Sequence, residues 1–145
     1  MNKFKFKVTK ESEKTKYPVI AQKPLLYSLR PYFSFRYYHS EHKRYTFEHF
    51  ERKEFLYFFK RLKELSAYTW GQIFGEHRGF FHAHEINWNE TKEKQGFCHL
   101  PKDLRGFPAY QFEIFKEARI VGYFNQDNVF KIIWVDRFHE IYPQK

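Results

Sequence analysis

Residues 118–143 read ARIVGYFNQDNVFKIIWVDRFHEIYP, and the reading of this stretch decides the fold. Two apolar runs, ARIVGYF (118–124) and NVFKIIWVD (128–136), flank the polar turn NQDN, the pattern of a β-hairpin. In the second run strict alternation sets Phe130, Ile132 and Trp134 on one side, with Val129, Ile133 and Val135 on the other beside Lys131. A strand apolar on both sides belongs inside a sheet. Upstream, AYQFEIFK (109–116) has the same periodicity and supplies a third antiparallel strand. The last strand gives way to Asp136, Arg137, His139 and Tyr142, a polar ending that either carries chemistry or only closes the sheet.

Helices come earlier in the chain. ERKEFLYFFKRLKEL (51–65) sets Phe55, Phe58, Phe59, Leu62 and Leu65 at the i, i+3, i+4, i+7 spacing, with Lys53, Glu54, Lys60, Arg61 and Glu64 opposite. Thr69 and Gln72 form a capping-box pair that starts a second helix carrying Trp70, Ile73 and Phe74, and Gly75 can supply a left-handed stop. PYFSFRYY (31–38) and RYTFEHF (44–50) alternate as the strands of a hairpin, with Phe33, Phe35 and Tyr37 on one side, although Glu48 and His49 can also open a helix. Residues 77–108 have no clear period; FFHAHEINW (80–88) reads as strand or irregular structure, and NETKEKQG (89–96) as an exposed loop. These elements predict an α+β fold, an antiparallel sheet with a helix pair on one face. Residues 1–145 form one domain, with 1–30 a basic, extended arm and 31–145 the core.

Composition sets the limits. Aromatic residues are 23% of the 145, so a short chain can still bury a large core. A single cysteine, Cys98, rules out an internal disulfide and fits a reducing compartment. No apolar stretch approaches the roughly 20 residues of a membrane span, and MNKFKFKVTK has no apolar core behind its charge. The expectation is a cytoplasmic protein without a membrane partner. Net charge is +9, from 26 Lys and Arg against 17 Asp and Glu, and such a field attracts polyanions. Nucleic acid and a merely solubilising surface are both consistent with that balance.

The motif RIVGYFNQDNVFKIIWVDRFHEIY, together with RPYFSF and LKELSAYTWGQI, resembles an uncharacterised group of small bacterial proteins that share a VGY…D.FH..W.D…LY ending. More loosely, the element order is similar to the RelE/YoeB-type mRNA interferase toxins, small basic proteins with a helix pair followed by an antiparallel sheet. That resemblance implies an endoribonuclease acting on ribosome-bound mRNA, with an acidic antitoxin as partner. It places phosphate-binding and proton-transfer groups at Arg119, Lys131, His139 and Tyr142. The arm at 1–30 and the insertion at 77–108 are additions to that plan.

Cleavage of RNA by its own 2′-hydroxyl needs a base, an acid and a cation on the phosphate, and histidine can take either proton-transfer role near neutrality. His139 is the candidate acid or base, Arg119 and Arg137 the phosphate grips, Lys131 a helper, and Tyr142 an orienting or donating group. The chemistry requires His139 and Arg119 on one surface. The alternative is a solvated strand end with Tyr142 capping the core. His82 and His84 are a weak half of a metal site, with His77, Cys98 and His99 near in sequence, but no recognised ligand motif accompanies them. Lys3, Lys5, Lys7 and Arg36, interleaved with rings, are candidates for single-stranded nucleic acid, the alternative being rings that face the core with the lysines simply solvated. No Gly-rich phosphate loop or nucleophile motif is present, so no cofactor is implied. A non-enzymatic nucleic-acid-binding or protein-interaction module of a mobile element is the rival reading.

Overall fold

The computed structural model describes residues 28–124 and 127–143, so the lysines of the amino-terminal arm and the first half of the NQDN turn lie outside the described residues. Five strands form one sheet in the order β1-β5-β4-β3-β2. They are β1 (Tyr32–Ser34), β2 (His84–Glu85), β3 (Ala109–Phe115), β4 (Ala118–Tyr123) and β5 (Val129–Asp136). The three carboxy-terminal strands are antiparallel neighbours, as their periodicity predicts. β5 is interior, with β4 on one side and β1 on the other.

The sheet is mixed, not antiparallel, because β1 runs parallel to β5, pairing Tyr32 with Val129 and Ser34 with Lys131. The expected hairpin at 31–50 does not form. β1 stops at Ser34, whose hydroxyl accepts the Arg36 N–H at 3.1 Å, and the chain then follows the edge of β5. There the His39 N–H donates to the Ile133 carbonyl and the Val135 N–H to the Tyr45 carbonyl. The ring alternation in this segment reflects packing on both sides of that edge: Phe33 joins one core, Tyr37 the other, and Phe35 stays exposed.

α1 (Arg52–Ser66) is the predicted long helix, turned so that Glu54, Phe58 and Leu65 are its buried residues. Phe59, expected in the core, is 60% exposed. The turn is set by Glu54, which caps the helix by accepting the Glu51 N–H and also binds Arg137 through both carboxylate oxygens. α2 (Trp70–Phe74) starts at the Thr69/Gln72 capping box. Gly75 ends it without a left-handed φ; that conformation falls instead on His82, which closes a third, one-turn helix, α3 (Arg78–Phe81). Among the described residues, α1, α2 and α3 pack on one face of the sheet, where Phe58, Leu65, Trp70, Ile73 and Phe81 meet Phe112, Ile120, Phe130 and Val135.

The other face is covered by loops, with Tyr45, Phe97, Val121, Tyr123, Ile133, Trp134 and Ile141 as a second core. Ile133 and Trp134 both lie on this side, so the predicted alternation fails midway along β5. The cause is a bulge: Val121 pairs with Trp134 while Gly122 pairs with Ile132, leaving Ile133 as the extra residue. Beyond the bulge the parity is exchanged, which puts Val135 under the helices and Asp136 on the loop-covered face. No helix among the described residues is long and apolar enough to cross a membrane.

Candidate functional site

Polar residues on the loop-covered face come from neighbouring strands. Gln111 and Glu113 alternate with the apolar residues of β3, and Arg119 of β4 pairs in register with Glu113 on one side and Asp136 on the other. His84 of β2 pairs with Gln111. These side chains share one sheet surface because each strand alternates in phase with its neighbour.

The carboxy-terminal tail folds over that surface. Asp136 is 1% exposed, and its two carboxylate oxygens accept the N–H groups of Glu140 at 2.8 Å and Ile141 at 2.9 Å. This clamp bends the chain back sharply enough that His139 takes a positive φ of 55°. Ile141 is buried, and its carbonyl accepts the Lys92 N–H at 2.7 Å. Burial holds the Asp136 carboxyl above its ordinary range, partly offset by the two backbone donors and by Arg119.

Between the tail and the sheet lies a cleft of about 530 Å³, lined by His82, His84, Gln111, Arg119, His139 and Tyr142, with Arg78, Asn87 and Glu90 at its sides. His139 and Arg119 therefore face one space. Tyr142 stands between two imidazoles, with ring centres 6.1 Å from His139 and 5.9 Å from His84. Burial lowers the pKa of His139, and the Arg119 guanidinium lowers it further, so the ring is neutral at neutral pH. Burial raises the Tyr142 phenol, which keeps its proton. The imidazole is thus in its base form and the phenol in its acid form, although each shift weakens its group, since a lowered pKa makes a poorer base and a raised one a poorer acid.

Arg119 is 8% exposed. One terminal nitrogen donates to the carbonyls of Lys116 and Ala118, while its Nε finds no hydrogen-bond partner. Gln111 is 1% exposed, and its Oε1 is likewise without a partner. Its amide nitrogen lies 3.0 Å from Nε2 of His84, whose Nδ1 is 2.8 Å from the Glu85 carbonyl. A carbonyl only accepts, so Nδ1 carries the His84 proton and Nε2 accepts from Gln111. Buried polar groups left unsatisfied are costly, and both residues that carry them line the cleft.

Other sequence candidates are placed elsewhere. Arg137 lies on the helix side, bound bidentately by Glu54 at 3.0 and 2.7 Å and set against the rings of Phe115 and Phe138. It ties the tail to α1 and is not a phosphate grip in the cleft. Lys131 is five residues along β5 from Asp136, about 16 Å at strand rise, and its ammonium is bound by Asp127 at 2.6 and 2.8 Å. Arg36 is exposed over the Tyr37 ring, away from the cleft. His82 and His84 both line the cleft, although the left-handed turn at His82 breaks the extended geometry assumed for them. His82 sits 3.4 Å from the Glu113 carboxylate, and among the described residues no group of His, Cys, Asp or Glu is arranged to hold a metal ion.

Asp136 and Gln111 were not sequence candidates. Gln111 had a signal, as a polar residue in phase with Glu113 in an otherwise apolar strand next to Arg119. Asp136 had none, because its role depends on the bulge that turns it onto this face. No family model, curated protein or solved structure matches the chain.

Proposed function

We propose that this chain is an RNA-directed protein that cuts the phosphodiester backbone in the cleft by metal-independent acid–base chemistry, in the manner of RelE-type mRNA interferases. The observation that supports it is the convergence of His139, Arg119 and Tyr142 on one open cleft of a strongly basic protein. Neutral His139 takes the proton of the ribose 2′-hydroxyl, and the 2′-oxygen attacks phosphorus. Arg119 meets the charge that builds on the non-bridging oxygens, where a buried donor acts at low local dielectric. As the bond from phosphorus to the 5′-oxygen breaks, Tyr142 gives that oxygen its proton. The products are a 2′,3′-cyclic phosphate and a 5′-hydroxyl, and solvent returns the protons. Gln111 and His84 hold the floor of the cleft, and Asp136 positions His139.

Ribosome-bound mRNA is the natural substrate on this reading, and an acidic protein that pairs with the chain's excess of Lys and Arg is the natural inhibitor. The test is incubation of purified protein with single-stranded RNA, and with translating ribosomes, in the presence of EDTA, with the fragment ends mapped. Fragments ending in cyclic phosphate that vanish in His139→Ala, with the fold retained, support the proposal. Salt-sensitive RNA binding without cleavage makes the chain a non-enzymatic nucleic-acid module instead.

A further inference from the structure

On the same loop-covered face, toward β1 and away from the cleft, three imidazoles gather on Trp134. The indole N–H of Trp134 donates to Nδ1 of His39 at 3.0 Å, which fixes that ring. Nδ1 of His42 accepts the backbone N–H groups of Arg44 and Tyr45, which fixes the second. The His99 ring lies flat on His39, with centres 3.7 Å apart and planes 16° from parallel. His99 remains exposed although one face of its ring lies against His39 and its other ring neighbours, Trp134 and Phe97, stand more than 6 Å away centre to centre. Exposed cations Arg36, Lys43 and Arg44 belong to the same 36–44 segment that carries His39 and His42, with Glu41 the acidic residue among them.

We infer that the outer face of His99 is a stacking platform for a base of single-stranded RNA, a binding subsite separate from the cleft. This inference rests on the RNA-directed reading. A flat ring supported from behind keeps its orientation, so little entropy is lost when a base lands on it, and nearby cations hold the phosphates. The cleft is lined from β2, β3 and β4, one to three strand spacings of about 4.8 Å from β5, so one strand of RNA running over the loops on this face reaches both. The contact is sequence-tolerant, because every base has a π-face.

The experiment measures binding of fluorescein-labelled single-stranded RNA by anisotropy, in a His139→Ala background that leaves the RNA intact. His99→Ala is expected to weaken binding about 5- to 150-fold, the range for loss of one base–aromatic stack. His99→Tyr, which keeps a planar ring, is expected to return affinity to within about threefold, since tyrosine also stacks. The slope of log Kd against log salt stays unchanged, because a neutral ring releases no counterions. Unaltered binding by His99→Ala, a loss that tyrosine does not repair, or a shallower salt slope each overturns the inference while the cleavage assay still judges the cleft. Absence of RNA binding by the His139→Ala protein at low salt, together with absence of cleavage by the wild type, overturns both.

Discussion

Gly122 sits in β4 beside the β5 bulge, where the two strands run unusually close. A methyl group built on it collides with the Lys131 carbonyl oxygen, and it comes within 2.8 Å of Phe130 Cε2 and 2.9 Å of the Lys131 carbonyl carbon. Two of the three obstacles are backbone atoms and cannot swing aside as the end of a side chain would. Gly122→Ala must therefore part β4 from β5 at the centre of the sheet. Overpacking a filled core costs about 1–3 kcal/mol. Loss of two ladder hydrogen bonds adds about 1 kcal/mol each, for a total of roughly 3–5 kcal/mol. At about 2–4 °C per kcal/mol for a chain near this size, the melting temperature should fall by roughly 6–20 °C. Thermal and urea unfolding followed by circular dichroism measure this, with Gly106→Ala, where a new methyl meets nothing within 4 Å, as the control. A Gly122→Ala protein that melts within about 2 °C of wild type would show that the close approach at the bulge is not as described, and the placement of Asp136 that depends on it would fall too.

Asp136→Asn leaves one oxygen where two N–H groups are now accepted, so the tail should loosen; leaving a buried N–H unsatisfied costs about 1–3 kcal/mol, and RNA cleavage should fall while the Arg119→Lys protein keeps its tail ordered by amide exchange. Glu54→Gln and Arg137→Met in a double-mutant cycle should show coupling of about 0.5–3 kcal/mol without removing RNA binding, because the pair fastens tail to helix and lies outside the cleft. Partial desolvation where these rings pack together, and for His42 and His99 also the neighbouring imidazoles, lowers the pKa of His39, His42 and His99, the last to about 4 even though His99 keeps an exposed surface. A lowered histidine pKa means that the unfolded chain takes up protons first, so this stability is present above about pH 6.5 and is lost as pH falls toward the folded values. With solvent screening, the loss from pH 7 to pH 5 should be about 1–2 kcal/mol, readable as a falling urea midpoint and relieved in His99→Leu.

The parts of the fold that local chemistry determines were legible. The Thr69/Gln72 cap, the long helix and the three closing strands carry their own hydrogen-bonding and periodic signals. Departures arise where a distant partner decides. β1 pairs with a strand nearly a hundred residues away, so alternation at 31–38 could not reveal a parallel edge. Phe59 is exposed because Glu54, bound by Arg137 from the far end of the chain, occupies the buried side of α1. In the cleft, His139, Arg119 and Tyr142 were readable as residue types, while Arg137 and Lys131 were drawn to Glu54 and Asp127, partners that spacing does not disclose.

The central claim is that neutral His139, beside Arg119, removes a proton from RNA. Its most direct test is the pH dependence of kcat/KM for cleavage of a short single-stranded RNA by the wild-type protein, with His139→Ala alongside. Burial and Arg119 both lower the pKa of the imidazole, so activity should rise with pH through a midpoint below the ordinary histidine value of about 6.5 and then level off. His139→Ala should abolish that limb together with the activity. Cleavage that persists in His139→Ala with the same pH profile would contradict the account.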